Sequence, residues 1–336
     1  MTDTGTSRYR ILGKLGEGGM AVVHMAEDSV LHRCVAVKTL RRETRDATVL
    51  QRFHLEATTV SRLGHSNIVQ VHDMGERADG EFLVMEFLDR GSIGKIVSSN
   101  GGHLDAVCAA CVALQASDGL SAAHDAGVVH RDVKPDNLLI SRQGVVKVAD
   151  FGIARLQNDV HRTEPGVAIG SPHYMAPEQA EGQESSPKTD VFALAGVLHF
   201  MICGRPPFEA ENVMGLLYRI TSHDAPELRA RARECPRVLS ELVRAMHQRD
   251  PDRRPSMSEV SERLRSWLAE HGILQPAEHL RSTLGFPQTA TLSGNTTTAA
   301  VNIEAPLRWW PPERALTSIA TLALKFLQKR EAKASR

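Results

Sequence analysis

Two polar clusters, each set behind a short apolar run, constrain this chain more than any other feature. His130-Arg131-Asp132-Val133-Lys134-Pro135-Asp136-Asn137 follows Gly127-Val128-Val129, and Asp150-Phe151-Gly152 follows Val145-Val146-Lys147-Val148-Ala149. Apolar runs this short, opening into acid-bearing loops, predict a scaffold in which each acid sits where a strand gives way to a loop. The two loops together offer a carboxylate, a lysine two residues on, an amide and a second carboxylate. Those groups supply a base, a phosphate partner and oxygen ligands for a metal, the parts that phosphoryl transfer to a hydroxyl needs.

The surrounding chain divides by periodicity. From about Tyr9 to Phe87 short strands dominate, including Val22-Val23, Cys34-Val35-Ala36-Val37 and Phe82-Leu83-Val84-Met85. One helix, 51–63, interrupts them, with Phe53, Leu55, Val60 and Leu63 as its apolar positions. From about Leu88 to Ile273 helical patterns take over, notably the Ala- and Leu-rich 105–125 and the almost wholly apolar 190–203. The fold class is α+β, with a strand-rich small lobe (9–87) and a helical large lobe (88–273), preceded by a polar extension (1–8). At residue 274 the composition turns to Thr, Ala, Asn, Gly and Pro, which predicts a linker over 274–312. Residues 313–336 then predict an amphipathic helix, with Leu316, Ile319, Ala320, Ala323 and Leu327 at helical spacing.

Composition narrows the functions. Lys and Arg number 40 and Asp and Glu number 40, so net charge gives no steering toward nucleic acid, and any phosphate site must be local. The five cysteines, without a paired CxxC arrangement, are expected to be reduced packing residues. The polar N-terminus and the absence of a run of about 20 apolar residues predict no transmembrane segment and a cytoplasmic chain.

Nearer the N-terminus, Gly16-Glu17-Gly18-Gly19-Met20-Ala21 joins two apolar segments, and its missing side chains let backbone N–H groups approach a polyphosphate. Val35-Ala36-Val37-Lys38 places a lysine on the next strand, pointing opposite its apolar neighbours. Glu56, on the following helix, offers the anion that would fix Lys38 beside phosphate oxygens. These pieces, in this order with Met85-Glu86-Phe87-Leu88, the two acid loops and Ala176-Pro177-Glu178, make residues 9–273 resemble the eukaryotic-like serine/threonine protein kinases of bacteria. Ala21 stands where that family's glycine loop usually ends in Gly. Asp190, opening an apolar helix, and Arg254 near the domain's end extend the match.

The resemblance implies roles. Asp132 is the base that orients the substrate hydroxyl, Lys134 contacts the γ-phosphate, and Asn137 and Asp150 hold Mg²⁺, with Mn²⁺ as an alternative. Lys134 also marks Ser/Thr over Tyr as the acceptor in protein substrates. Lys38 and Glu56 complete the ATP site, with Gly16, Glu17, Gly18 and Gly19 over the phosphates. Val23 and Ala36 would lie above the adenine, Leu139 below it, and the backbone of Glu86 and Leu88 along its edge. Met85 resembles the residue at the back of that pocket, and His130 packs under Phe151. Glu178 and Arg254 would pair, and Asp190 would hold the catalytic-loop backbone.

Residues 153–176 resemble an activation loop in which Thr163 is autophosphorylated and Arg131 receives the phosphate. Ser171 resembles the hydroxyl that touches Asp132 and Lys134. The family also implies a homodimer through the back of the small lobe, and the 313–336 helix suggests a docking partner. Two other readings stay open, a nucleotide-binding pseudokinase scaffold and a small-molecule phosphotransferase. The presence of Lys38, Asp132, Asn137 and Asp150 weighs against the first, and the complete 171–178 segment against the second.

Overall fold

The computed structural model describes residues 8–18, 21–41, 47–77, 80–151 and 172–286. Gly19, Gly152, Thr163, Ser171 and the expected C-terminal helix therefore lie outside the described residues.

The small lobe is an antiparallel sheet of β1 (Tyr9–Glu17), β2 (Ala21–Asp28), β3 (Arg33–Leu40), β4 (Val71–Arg77) and β5 (Gly80–Glu86), in the order β1-β2-β3-β5-β4, with α1 (Ala47–Ser61) against it. Alternation along β3 decides its two faces. Val35 and Val37 enter one apolar cluster with Tyr9, Ala26, Phe82 and Val84, so Ala36 and Lys38 point to the other side, toward the large lobe. Along α1 the buried stripe is Phe53, Glu56, Ala57 and Val60, spaced three and four apart. Leu55, expected on that stripe, is 45% exposed, because its position falls between the stripe's rows.

The large lobe comprises α2 (Ile93–Ser99), α3 (Ala106–Asp125), the hairpin β6 (Leu138–Ile140) and β7 (Val146–Val148), then α4 (Pro177–Ala180), α5 (Pro187–Cys203), α6 (Val213–Ser222), α7 (Leu228–Arg231), α8 (Arg237–Met246), α9 (Met257–Glu270) and α10 (Pro276–Thr283). α3 starts where Asp105 accepts from the backbone N–H groups of Val107 and Cys108, both at 2.9 Å. Ser186 caps α5 in the same way, and Gly204, left-handed at φ 73°, ends it.

α3 is long and apolar enough to cross a membrane by length and composition, contrary to the expectation of no such run. It is instead the central helix of this lobe, 72% buried, because its alanines allow close neighbours on all sides. Gly119 shows how close: a Cβ there would stand 2.5 Å from the Asn67 carbonyl oxygen.

Three further expectations change. Val128-Val129 forms no strand, so Asp132 follows α3 through a segment without regular structure, whereas Asp150 does sit just past the end of a strand. The expected linker does not begin at 274, since Pro276–Thr283 is helical and buries Leu280 completely in the core. Among the cysteines, all free, Cys108, Cys111 and Cys235 are buried, but Cys34 is exposed.

Candidate functional site

The site is assembled on a backbone held from several sides. Asp190, at the start of α5 and fully buried, accepts from the backbone N–H of His130 and of Arg131, both at 2.8 Å. Arg131 is left-handed at φ 68°, a conformation costly for a side chain with a Cβ, and its carbonyl accepts from Gln179 Nε2 at 3.0 Å. Asp150 is left-handed as well, at φ 53°. Such positions persist only where neighbours over-determine them, and here they coincide with the two acid loops.

Asn137 links those loops, since Ala149 N donates to its carbonyl at 2.8 Å. His130 Nε2 bonds the Ala149 carbonyl at 2.9 Å, and its ring lies 4.6 Å from that of Phe151. Phe151 is buried in the large apolar cluster that also takes in Val60 of α1.

On these supports Lys134 Nζ donates to Asp132 Oδ2 at 2.7 Å. Asn137 Nδ2 donates to the Asp132 carbonyl at 2.8 Å and to Oδ2 at 3.2 Å. One carboxylate oxygen is thus held by two donors, which fixes the plane of the acid. From the small lobe Lys38 Nζ reaches Glu56 Oε1 at 3.2 Å and Asp150 Oδ1 at 2.9 Å.

Electrostatics follow from that bridge. Burial pulls the Lys38 ammonium down, but the charges of Asp150 and Glu56 outweigh it and leave the group raised and cationic. The Lys38 charge holds the Asp150 carboxyl below its ordinary value. Burial raises Glu56 against the pull of Lys38. Asp150, whose side chain is 44% accessible, therefore offers an ionised oxygen to the cleft.

Asn137 directs its amide N–H groups at Asp132, which turns its Oδ1 away from that acid. A carboxylate and an amide oxygen are hard ligands that suit Mg²⁺ or a similar divalent ion.

Ala36, Met85, Leu88 and Ala149 form one buried cluster with Val69, and Leu15, Val23 and Leu139 pack against it. The residues expected above and below an adenine ring thus meet, in strands from both lobes. Glu86 pairs through its carboxylate with Lys147 at 2.8 Å, and its backbone N–H donates to Gln70 O at 2.9 Å. Gly16 stands opposite Val23 and Glu17 opposite Val22, while Gly18 N donates to Ala21 O at 2.9 Å across the turn. The Glu17 side chain pairs with Lys14 and Arg41. Arg131 Nε is buried and has no hydrogen-bond partner among the described residues.

Several supports escaped sequence reasoning. His124 Nε2 bonds the same Asp190 carboxylate at 2.8 Å. Asn67 Nδ2 donates to Val146 O at 2.8 Å, and Gln115 Oε1 accepts from Val146 N at 3.0 Å. Gln179 grips the Arg131 carbonyl. Only Gln179 had a sequence signal, its place beside Glu178.

Fold and site together define a class. A lysine on a small sheet lobe meets a carboxylate on a helical lobe beside a held acid and an amide, the architecture of a nucleotide-dependent phosphotransferase. Residues 9–265 match the family described as the protein kinase domain. The chain is similar to serine/threonine-protein kinase PrkC of Bacillus subtilis, 35% identical over 258 residues, which are 76% of this chain and 40% of that protein. It is also similar to serine/threonine-protein kinase Pkn1 of Myxococcus xanthus, 38% identical over 78% of this chain and 38% of that protein. Serine/threonine-protein kinase PknL of Mycobacterium tuberculosis is 35% identical over 73% of this chain and 61% of its own length. This chain belongs to the protein kinase family, and it spans less than two thirds of the length of these relatives.

Proposed function

We propose that this chain is an ATP-dependent serine/threonine protein kinase that transfers the γ-phosphate to Ser or Thr hydroxyls of proteins. The observation that carries this reading is Lys38, which joins Glu56 and Asp150 across the cleft at 3.2 and 2.9 Å. An ion pair of that kind positions a lysine for nucleotide phosphates while leaving a metal-binding acid beside it. The names of the relatives and the place of Lys134 beside the base support Ser/Thr selectivity. The same names favour catalysis over a pseudokinase scaffold.

In the reaction the substrate hydroxyl oxygen attacks the γ-phosphorus as the bond to the β,γ-bridging oxygen breaks, and ADP leaves. Asp132, held by Lys134 and Asn137, orients the hydroxyl and takes its proton. Lys134 then faces the charge gathering on the γ-phosphoryl oxygens, while Lys38 holds the phosphates upstream. Asn137 and Asp150 would hold Mg²⁺, with Mn²⁺ as a substitute, which when bound neutralises phosphate charge.

Thr163 is the proposed autophosphorylation site and Arg131, whose Nε has no hydrogen-bond partner among the described residues, the receiver of its phosphate. Homodimerisation through the small lobe and docking by the tail belong to the same proposal, and the use of ATP supports a cytoplasmic placement of the site.

The test is incubation of the full chain with Mg²⁺, γ-labelled ATP and a protein acceptor, followed by phosphoamino-acid analysis. Label on phosphoserine or phosphothreonine is expected. Phosphotyrosine alone, or no label, would overturn the reading.

A further inference from the structure

The family match ends at residue 265, yet the described fold runs on to Phe286. In that extra stretch Leu280 is fully buried in the main core and Phe286 is 9% exposed, with Ile273 and Leu284 packed against the same cluster. α10 meets the β6–β7 hairpin at its turn. Gly144 there is left-handed at φ 77°, and a Cβ on it would run into the Ala277 carbonyl oxygen of α10. Gln115 holds the same turn from α3, its Nε2 donating to Gly144 O at 3.1 Å.

The hairpin's other edge is held by residues 89–92, which follow Met85-Glu86-Phe87-Leu88. Arg90 N donates to Ile140 O at 3.1 Å, and Ile140 N donates to Gly91 O at 2.9 Å. Ser92 bridges Leu139, while Asp89 accepts from Arg142 N at 2.8 Å and pairs with its guanidinium. Phe286 closes the loop, because the Arg90 guanidinium lies over its ring at 5.0 Å. Arg90 Nε is buried and has no hydrogen-bond partner among the described residues. A guanidinium set over a ring face is attracted by the ring's quadrupole.

We propose that α10 and Phe286 form a bracket that positions the nucleotide slot. Through Arg90 they hold residues 89–92 against the β6–β7 hairpin, and so keep Leu139 beneath, and the Leu88 backbone beside, the place an adenine ring takes. This rests on the kinase reading above. Phe286 and Arg90 touch neither the nucleotide nor the reacting atoms and are positioning residues.

The signature is a split between constants. Loosening the slot weakens ATP binding in ground and transition states alike, which raises KM and leaves kcat, set around Asp132, unchanged. In the full chain, Phe286→Ala is expected to raise KM for ATP about fivefold, with kcat within about twofold of wild type. Phe286→Tyr keeps the ring and restores KM. Gly144→Ala drives the hairpin from α10 and raises KM in the same direction.

Leu242→Ala, in the buried face of α8, serves as the control for lost stability and leaves KM unchanged. If Phe286→Ala fails to fold, Arg90→Gln carries the same test. A wild-type KM in Phe286→Ala, or an equal rise in Leu242→Ala, would overturn the bracket.

Binding of a fluorescent ATP analogue separates the two readings. Wild type that binds it without transferring phosphate refutes the kinase reading alone, and the bracket is then judged by the same fivefold difference in dissociation constant. Wild type that binds no nucleotide refutes both.

Discussion

Glu178→Gln probes how the helical lobe is locked together. Arg254 and Glu178 have side chains 0% and 5% exposed. All five N–H donors of the guanidinium are used. Nε donates to Gln248 O at 2.7 Å, Nη1 to Glu178 Oε1 at 2.8 Å and Lys188 O at 2.9 Å, and Nη2 to Glu178 Oε2 and Arg249 O at 2.8 Å each. Thr189 Oγ1 donates to Glu178 Oε1 at 2.8 Å, and the guanidinium lies 4.9 Å over the Phe192 ring.

The amide leaves the geometry but removes the counter-charge, and it turns an NH₂ toward an arginine N–H. Breaking one side of a buried pair costs about 3–5 kcal/mol, against about 0–1 for an exposed pair such as Arg237 with Glu241. At about 2–4 °C per kcal/mol for a domain this large, melting should fall by about 6–20 °C. Equilibrium urea unfolding of wild type, Glu178→Gln and Glu241→Gln measures it, with unchanged slopes required. A double Glu178→Leu, Arg254→Leu variant should recover only part of the loss, because three backbone carbonyls lose their donor. A Glu178→Gln cost under about 1 kcal/mol would refute the reasoning.

Other outcomes follow from single contacts. Gly119→Ala should cost about 1–3 kcal/mol in thermal unfolding, since its Cβ meets backbone at Asn67 rather than a flexible side chain. Burial pushes His247 down to about 3 and His199 to about 4, so the unfolded chain takes up their protons near pH 6.5 and the folded chain only at lower pH. Their contribution is therefore complete above pH 6.5 and lost below it, by about 1.4 kcal/mol per pH unit for each histidine until its folded value is reached. Unfolding titrations between pH 7 and 4.5 should show a shallower slope in His247→Gln. His124→Ala removes one donor from Asp190 and should lower kcat more than it raises KM for ATP, with His124→Gln recovering part of the rate.

The site was legible because its chemistry is packed into short local patterns. Asp132, Lys134 and Asn137 lie within six residues, and strand alternation alone turns Lys38 away from Val37. What was hidden joins residues far apart in sequence. His124 meets Asp190 across 66 positions and Asn67 meets Val146 across 79, and neither polar side chain differs locally from an exposed one. α10 is hidden in the sequence because eight residues with one fully buried leucine leave no periodicity to find. Hydrophobicity alone puts Leu55 inside, whereas the row Phe53, Glu56, Val60 is the face that α1 buries.

The most direct test of the central claim is Asp132→Asn in the full chain with Mg²⁺ and ATP. The amide keeps the size of the side chain and leaves Lys134 and Asn137 beside it, so fluorescent ATP should bind as in wild type. Without a base, phosphate incorporation should fall about 100-fold or more. Equal incorporation by both proteins would contradict the assignment of Asp132 and the mechanism built on it.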